Sequence, residues 1–290
     1  MTSIHKAALS GFSSASQYDT HRPSYPQSAV SALLSALKVS GMQGARIIDL
    51  AAGTGKFTEL LAARDEGFEI VALEPHDGMR EELVRKQLRG VTVGKGTAED
   101  MGVEEQWADA VIIAQAFHWF AHDAALREIY KSLVPGGSLG LIWNIEDYNA
   151  PKSWQPTTEW EAKMKDIVWS FDDSQPRFRH EKWREVFEKQ LSTTPFGIQS
   201  ADPLFSLPLG EQSEKFTYWL TAEAVWQRFH SLSQISVLEG EELTDTRRKV
   251  FEALEGPDVE KIEKGEVALH GHTTWAFSSA IPGAPLKEGG

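Results

Sequence analysis

The chain has 290 residues, no cysteine and a formal net charge of −13 at pH 7. Its length allows a sizeable core, and the lack of cysteine excludes disulfides, thiolate chemistry and cysteine-ligated zinc. Phosphate backbones are bound by lysine and arginine, so the acidic balance disfavours a nucleic-acid partner. We find no apolar run long enough to span a bilayer and no signal-peptide segment in the N-terminal residues, so we expect a cytoplasmic protein without a membrane partner.

Apolar residues in the first half of the chain alternate between helical and strand spacing. The predicted elements are a helix over 27–39, a strand over 46–50, a helix from Phe57, a strand over 69–74, a helix capped by Asp77, a strand over 91–95, a strand over 108–114, a helix through 126–133 and a strand over 138–143. This alternation predicts an α/β fold with a doubly wound, mostly parallel sheet.

The pattern changes after Asn144, and we predict that residues 149–200 form a helical cap insert. Within it, Thr158 and Glu161 have the spacing of a helix-capping box, and a second helix carries the stripe 183, 186, 187 and 191. The insert holds four of the ten tryptophans, which predicts a lid with an apolar underside. Its basic residues are interleaved with acids and aromatics and are interpreted as a solvated face: Arg177, Arg179, Lys182 and Arg184.

Downstream of the insert the sequence predicts a sixth strand over 204–207 and helices on 222–229 and 243–254. A long alternating stretch over 267–278 predicts a last strand that pairs antiparallel at the sheet edge.

The stretch Ile47–Lys56 has the pattern of a buried strand that contains an acid, a glycine-centred loop and the start of a helix. This arrangement points backbone N–H groups and the Asp49 carboxylate at a small ligand. Glu74 ends the next strand, where an acid can accept hydrogen bonds from both ribose hydroxyls of a nucleoside. Together these features predict a nucleoside-containing cofactor.

Two kinds of nucleoside cofactor compete for this loop. Dinucleotide folds carry the pattern G-x-G-x-x-G, but Thr58 occupies the position of its third glycine. Asp49 would also repel a pyrophosphate, whereas it would attract the ammonium group of S-adenosylmethionine (SAM). The sequence therefore favours SAM over a nicotinamide dinucleotide.

Six strings in order over residues 12–145 resemble the Rossmann-like (class I) SAM-dependent methyltransferases of the methyltransferase type 11 branch. Within that branch the resemblance is closest to ubiquinone/menaquinone-biosynthesis and trans-aconitate methyltransferase-like enzymes. The strings are 18–26, 49–55, 73–75 with Met79, 96–100, 114–120 and 133–137. The resemblance implies a seven-stranded sheet with an antiparallel last strand. One departure is Ala51, where the family usually has glycine.

The resemblance also implies which residues bind SAM. The predicted cofactor-binding residues are Tyr18, Arg22, Asp49, Ala51, Gly53, Gly55, Glu74, Pro75, Met79, Ala98, Glu99, Asp100, Gln115 and Phe117. Asp49 and the glycines would lie beneath the methionine part, Glu74 would bind the ribose, and Arg22 would pair with the SAM carboxylate. Either Glu99 or Asp100 would accept the adenine amino group, and the sequence leaves this choice open.

Two residues are catalytic candidates. His118 is predicted as a general base because neutral imidazole is abundant near pH 7, and the alternative is a histidine with only structural hydrogen bonds. The hydroxyl of Tyr18 would form a hydrogen bond near the transferred methyl group. Methyl transfer needs no metal, and His270 and His272 are interpreted as structural, so no metal site is predicted.

These features predict a single domain over 1–290. It comprises a helical cover (1–40), a cofactor-binding core (41–148), the cap insert (149–200) and C-terminal strands and helices (201–290). We expect a SAM-dependent methyltransferase that acts on an oxygen, in a carboxylate or a hydroxyl, of a small-molecule acceptor. The alternative is a SAM-binding regulatory or scaffold protein without catalysis. A monomer or homodimer is expected.

Overall fold

The computed structural model describes residues 24–171, 174–191, 193–194, 197–198 and 203–284. Tyr18 and Arg22 lie outside the described residues, so the roles predicted for them stay predictions. The helices are α1 (Gln27–Ala36), α2 (Lys56–Ala62), α3 (Asp77–Arg85), α4 (Asp123–Ser132), α5 (Glu159–Ser170), α6 (Glu185–Glu188), α7 (Ala222–His230) and α8 (Gly240–Leu254). The strands are β1 (Arg46–Leu50), β2 (Glu69–Leu73), β3 (Val91–Gly94), β4 (Ala108–Ala114), β5 (Leu133–Glu146), β6 (Thr193–Thr194), β7 (Gly197–Ile198), β8 (Gly210–Leu220) and β9 (Val267–Ser279).

Seven of these strands form one sheet in the order β3-β2-β1-β4-β5-β9-β8. Strand β1 pairs in parallel with β2 and β4, β2 with β3, and β4 with β5. The last strands are antiparallel, which confirms the predicted mostly parallel, Rossmann-like sheet. The order reverses between β1 and β4, and ligands of open α/β sheets bind outside the carboxyl ends of the strands at such a point.

Two predictions about the far side of the sheet are wrong in detail. The predicted sixth strand over 204–207 is only an isolated bridge between Phe205 and Ala280, and the strand in that part of the chain is β8. The long last strand exists as β9, but it lies between β5 and β8 and is not the sheet edge. Strand β8 is largely exposed and its first six residues are glycine or polar, so it lacks the apolar run that identifies a buried strand.

The boundaries of several helices also differ from the prediction. Asp77 is the first residue of α3 and not its cap, because His76 Nδ1 accepts the hydrogen bond from the Met79 N–H at 3.2 Å. Helix α4 ends at Ser132, and the residue after it begins β5. The predicted second helix of the insert is the short helix α6 flanked by 3₁₀ turns, and the side chains at 183, 186 and 187 are buried as predicted.

The chain divides into two compact units. The first, here called the N-terminal unit, comprises residues 24–143, the described part of 181–213, and 274–284. Its core packs α1 and α2 against β1, β2 and β4 through buried aliphatic and aromatic side chains, among them Leu33, Leu34, Ile47, Phe57 and Ile112. The prediction of one domain over 1–290 stays a prediction.

The second, here called the C-terminal unit, comprises the described part of 144–180 together with 214–273. Its core joins α5, α7 and α8 through Trp160, Met164, Phe229 and Val250. Thr158 caps α5, since its hydroxyl oxygen accepts from the Glu161 N–H. The Glu161 carboxylate accepts from the Thr158 hydroxyl, whereas in a full capping box it accepts from the backbone N–H of the capping residue, so the predicted box is present in part. No helix in the described ranges combines the length and the apolar character that crossing a bilayer requires.

The predicted solvated basic face is wrong for two of its members. Arg177 and Arg179 are 6% and 4% exposed. Arg177 donates to the hydroxyl of Ser233, and the Arg179 guanidinium lies 5.2 Å from the ring centroid of Trp169. An aromatic face and a hydroxyl take the place of solvent around these two side chains.

Candidate active site

The Asp49 carboxylate lies fully buried near the carboxyl end of β1. Its Oδ2 accepts a 2.6 Å hydrogen bond from the Thr58 hydroxyl on α2, while its Oδ1 is buried with no hydrogen-bond partner among the described residues. Burial raises the pKa of Asp49 to about 7, the Thr58 bond lowers it, and the nearby Glu74 carboxylate raises it further. A buried oxygen without a partner is costly, and a cationic donor on a ligand would satisfy it.

The loop after Asp49 is held in left-handed backbone conformations. Ala51, Gly53 and Gly55 have φ angles of +59°, +59° and +86°. Glycine is favoured at Gly55 by its left-handed φ, and a Cβ there would lie 2.3 Å from Cδ1 of Leu83, whose side chain would have to move. Ala51 carries the strain that a Cβ brings to this conformation, so the departure from the family pattern falls at a position that favours glycine.

The Glu74 carboxylate joins this loop to the turn after β2. The side chain follows the last residue of β2, and the residue is 5% exposed. Its Oε2 accepts from the Gly53 N–H at 2.9 Å, and its Oε1 accepts from the His76 N–H at 2.7 Å. Burial raises the pKa of Glu74, and these two N–H groups oppose the rise. Each carboxylate oxygen can accept a second hydrogen bond, so both remain suited to ligand hydroxyls.

Pro75 and Met79 follow Glu74 in the same turn and helix. Met79 is buried, and its Sδ lies 3.9 Å from the place that a Cβ on Gly53 would occupy. Pro75 is half-buried, and its carbonyl oxygen accepts from Arg80 Nη1 at 3.3 Å. The structure thus brings Asp49, Gly53, Glu74 and Met79 together at the carboxyl ends of β1 and β2.

The three residues predicted at the adenine lie in the turn after β3. Ala98 is buried, Glu99 is half-buried and Asp100 is exposed. Glu99 Oε1 lies 2.9 Å from His122 Nε2, whereas the Asp100 N–H donates to the Thr97 hydroxyl oxygen at 3.2 Å. The choice between the two acids as the adenine contact stays open.

Gln115 and Phe117 follow the end of β4. Gln115 has a φ of +61°, and its N–H donates to the Ile142 carbonyl at 2.8 Å. Phe117 is completely buried in an aromatic cluster, with its ring centroid 5.6 Å from that of Phe187 and 6.5 Å from that of Trp183. The contacts that the structure gives to Phe117 are those of a packed core residue, and its predicted cofactor role stays a prediction.

His118 has a hydrogen bond that bears on its predicted role. The Trp143 indole Nε1–H donates to His118 Nδ1 at 3.3 Å. In the neutral ring this places the proton on Nε2, so that nitrogen donates and Nδ1 is already engaged. In this arrangement Nδ1 is engaged by the indole, and the general-base role predicted for His118 stays a prediction.

The two other histidines of interest lie on β9 in the C-terminal unit. The His270 N–H donates to Glu161 Oε1 at 2.7 Å, and its Nδ1 lies 3.1 Å from Glu161 Oε2. The His272 ring centroid lies 5.1 Å from that of Trp154. The same unit holds a buried ion pair in which Arg228 Nε donates to Glu146 Oε1 at 2.6 Å.

Sequence reasoning missed two residues that organise the loop. In the sequence, Thr58 served only to show that the third glycine of the dinucleotide pattern is absent. In the structure it is the third residue of α2, and its hydroxyl donates to Asp49. His76 was not predicted, yet its N–H binds Glu74 and its ring caps α3. The signal for Thr58 was its place in the first helical turn, which faces back to the strand that precedes the loop.

Comparisons with known proteins find a methyltransferase match that includes this loop. Residues 48–141 match the family model described as "Methyltransferase domain". The chain is 34% identical over 170 residues to the uncharacterized methyltransferase-like protein C25B8.10 of Schizosaccharomyces pombe. The aligned region is 59% of this chain and 62% of that protein. Residues 48–141 of this chain are therefore similar to a methyltransferase domain.

Two further curated relatives have related names. The uncharacterized methyltransferase Rv3342 of Mycobacterium tuberculosis is 40% identical over 140 residues, which is 48% of this chain and 54% of that protein. A malonyl-[acyl-carrier protein] O-methyltransferase of Methylococcus capsulatus is 34% identical over 112 residues, 38% of this chain and 41% of that protein. The chain thus spans less than two thirds of the length of each of these relatives.

Solved structures share the fold. The YcgJ protein from Bacillus subtilis has a TM-score of 0.51 and 16% identity, covering 87% of this chain and 99% of that chain. Phosphoethanolamine N-methyltransferase 2 of Haemonchus contortus, solved in complex with SAM, has a TM-score of 0.51 and 13% identity. The match covers 97% of this chain and 60% of that chain.

Proposed function

We propose that this protein is a SAM-dependent methyltransferase that transfers a methyl group to an oxygen of a small-molecule acceptor. The observation that carries the proposal is the pair of buried carboxylates at the ends of neighbouring strands. Asp49 has an oxygen without a partner among the described residues, and Glu74 is held by two backbone N–H groups. The match of residues 48–141 to a methyltransferase domain supports the same cofactor.

The chemical character of these groups fits SAM. The buried Oδ1 of Asp49 suits the ammonium group of the amino-acid part, and the Glu74 oxygens suit the two ribose hydroxyls. Gly53 and Gly55 leave the loop without side chains at two positions, so its backbone can approach a ligand closely. When bound, SAM supplies an electrophilic methyl group on a sulfonium, and the chain supplies the binding and orientation.

The surroundings of His118 bear on the acceptor atom. A carboxylate acceptor needs no base, whereas a hydroxyl acceptor uses one to remove its proton. The Trp143 indole occupies Nδ1 of His118, so the best-placed histidine is not arranged as a base. This supports a carboxylate oxygen over a hydroxyl as the acceptor. The name of the O-methyltransferase relative supports an oxygen acceptor.

Isothermal titration of the protein with SAM and, separately, with NAD tests the cofactor assignment. We expect SAM to bind in the micromolar range or tighter and NAD to show no saturable heat. Binding of NAD without binding of SAM would overturn the proposal.

Product formation with methyl-labelled SAM and panels of small carboxylic acids, phenols and amines then tests the acceptor. Labelled product from amines alone would overturn the oxygen assignment.

A further inference from the structure

Thr58 is a completely buried residue in the first turn of α2, directly below the glycine loop. Its hydroxyl donates to Asp49 Oδ2 at 2.6 Å. Hydrogen bonds from hydroxyls to ionised carboxylates are about 2.5–2.7 Å long, and this contact falls within that range. The Thr58 hydroxyl can therefore stabilise the ionised form of Asp49.

This single bond makes the Asp49 carboxylate asymmetric. One oxygen is engaged by Thr58, and the other is buried without a partner among the described residues. The register partners of Asp49 on the neighbouring strands are Ala72 on β2 and Ile112 on β4, and neither side chain can form a hydrogen bond. Thr58 is thus the side chain that sets the orientation of this carboxylate.

The charged groups near Asp49 work against its ionisation. Glu74 is the neighbouring charge that raises the pKa of Asp49, while His76 and Arg80 act on Glu74. The Thr58 hydroxyl is the group that lowers the pKa of Asp49 against burial and against Glu74.

We propose that Thr58 is a positioning residue whose hydroxyl favours the ionised form of the Asp49 carboxylate and turns it so that Oδ1 meets the ammonium group of SAM. This inference rests on the proposed function. It gives a reason for a threonine where dinucleotide-binding loops have their third glycine, because glycine would leave both oxygens of the buried acid without a donor.

Three variants and one control isolate the hydroxyl. Thr58→Val removes the hydroxyl and keeps the shape, Thr58→Ser restores it, and Thr58→Ala gives a second hydroxyl-free variant should the valine variant fail to fold. Thr246→Val is the matched control, since Thr246 is a buried threonine of α8 in the C-terminal unit. The readouts are the Kd of SAM by isothermal titration from pH 6 to 9 and the Asp49 carboxyl titration by ¹³C NMR in the ligand-free protein.

The expected result is a pH-dependent loss of affinity. Loss of a hydrogen bond to a charged group predicts that Thr58→Val weakens SAM binding about 10-fold or more at pH 7. Its loss of affinity on acidification begins at higher pH than in the wild type, because the Asp49 pKa rises when the hydroxyl is removed. The deficit shrinks towards pH 9, and the serine and Thr246 variants follow the wild type.

Three results would overturn this inference alone: unchanged SAM affinity in Thr58→Val, an equal loss at every pH, or a serine variant as weak as the valine variant. An Asp49 titration that does not move in Thr58→Val would do the same. Failure of the wild-type protein to bind SAM is a different outcome, since it overturns the proposed function on which the inference rests.

Discussion

The carboxylate of Glu74 accepts a 2.9 Å hydrogen bond from the backbone N–H of Gly53, and so ties the end of β2 to the loop after β1. The second oxygen of Glu74 accepts from the His76 N–H at the start of α3. One side chain therefore fixes two turns at the sheet edge where α/β folds bind their ligands. Glu74 and Asp49 both carry a desolvation cost, which a bound cation and two hydroxyls would offset.

Asp49 makes the ligand-free protein less stable as pH rises. Its folded pKa of about 7 lies above the ordinary value of 3.8, so the folded state holds a proton that the unfolded state has lost between these values. Stability from this group is therefore full below the unfolded pKa and is lost as pH rises to the folded one. We expect Asp49→Asn to raise the free energy of unfolding by on the order of 2 kcal/mol at pH 8.

The same variant should lose SAM binding, which would show stability given up for function. Urea unfolding of the wild type and Asp49→Asn from pH 5 to 8 measures the stability difference, which should narrow towards pH 5. A difference that is constant over this range, or a variant that is less stable at pH 8, would contradict the ionisation of a buried Asp49.

Ala51 is the alanine at a left-handed position of the loop, with a φ of +59°. Ala51→Gly should raise the free energy of unfolding by about 0.5–1 kcal/mol, because a Cβ is strained in this conformation. Ala52→Gly is the matched control one residue away, where φ is not positive and glycine should destabilise by a similar amount. Denaturant midpoints of the two variants should shift in opposite directions, and parallel shifts would be evidence against the loop conformation.

Gly55 and Gly53 differ in the space that a methyl group would find. At Gly55 it would lie 2.3 Å from Cδ1 of Leu83, and at Gly53 its nearest contact would be Met79 Sδ at 3.9 Å. Gly53→Ala should cost about 1–2 kcal/mol from backbone strain, and Gly55→Ala about 1–3 kcal/mol more from the added clash. Thermal unfolding of both variants checks this order, and an equal cost would mean that α3 does not pack against the loop as described.

His118 donates through Nε2 when its ring is neutral, because the Trp143 indole engages Nδ1. With a carboxylic acid acceptor, His118→Ala should therefore slow turnover by less than about tenfold, since general-base catalysis contributes roughly 10²–10⁴-fold where it operates. His122→Ala, which alters a half-exposed histidine bound to Glu99, is the comparison variant. Turnover slowed by about 100-fold or more in His118→Ala, together with the disappearance of an acid limb from the pH–rate profile, would restore the general-base role.

Much of the sheet could be predicted because its inner strands are nearly continuous apolar runs. β1 and β4 were predicted with their observed bounds, since a strand covered on both faces leaves a clear signal in one sequence. β8 left no such signal, because the first six residues of this exposed edge strand are glycine or polar. Its pairing partner β9 was therefore assigned to the edge.

Parts of the candidate site could be predicted where a position needs a property that a single residue type supplies, such as the backbone freedom of glycine or the charge of an acid. Gly55 and Glu74 lie where their backbone freedom and charge are needed, so the motif alone located them. The hydrogen bond between Trp143 and His118 joins side chains 25 residues apart that meet only in the fold, and local patterns contain no such information. The burial of Arg177 likewise depends on the tertiary contact with Ser233.

Titration of SAM into the wild type, Glu74→Gln and Glu69→Gln tests the cofactor site most directly. Glu69 is an exposed acid at the start of the same strand, so its variant controls for loss of charge from β2. The glutamine side chain of Glu74→Gln has an NH₂ group in place of one carboxylate oxygen. That donor would face a backbone N–H donor of Gly53 or His76, and the side chain would bind the ribose hydroxyls less well. We predict a Kd about 10–100-fold weaker for Glu74→Gln and unchanged for Glu69→Gln. Equal SAM affinity in all three proteins, each folded by circular dichroism, would contradict the placement of the cofactor against Glu74.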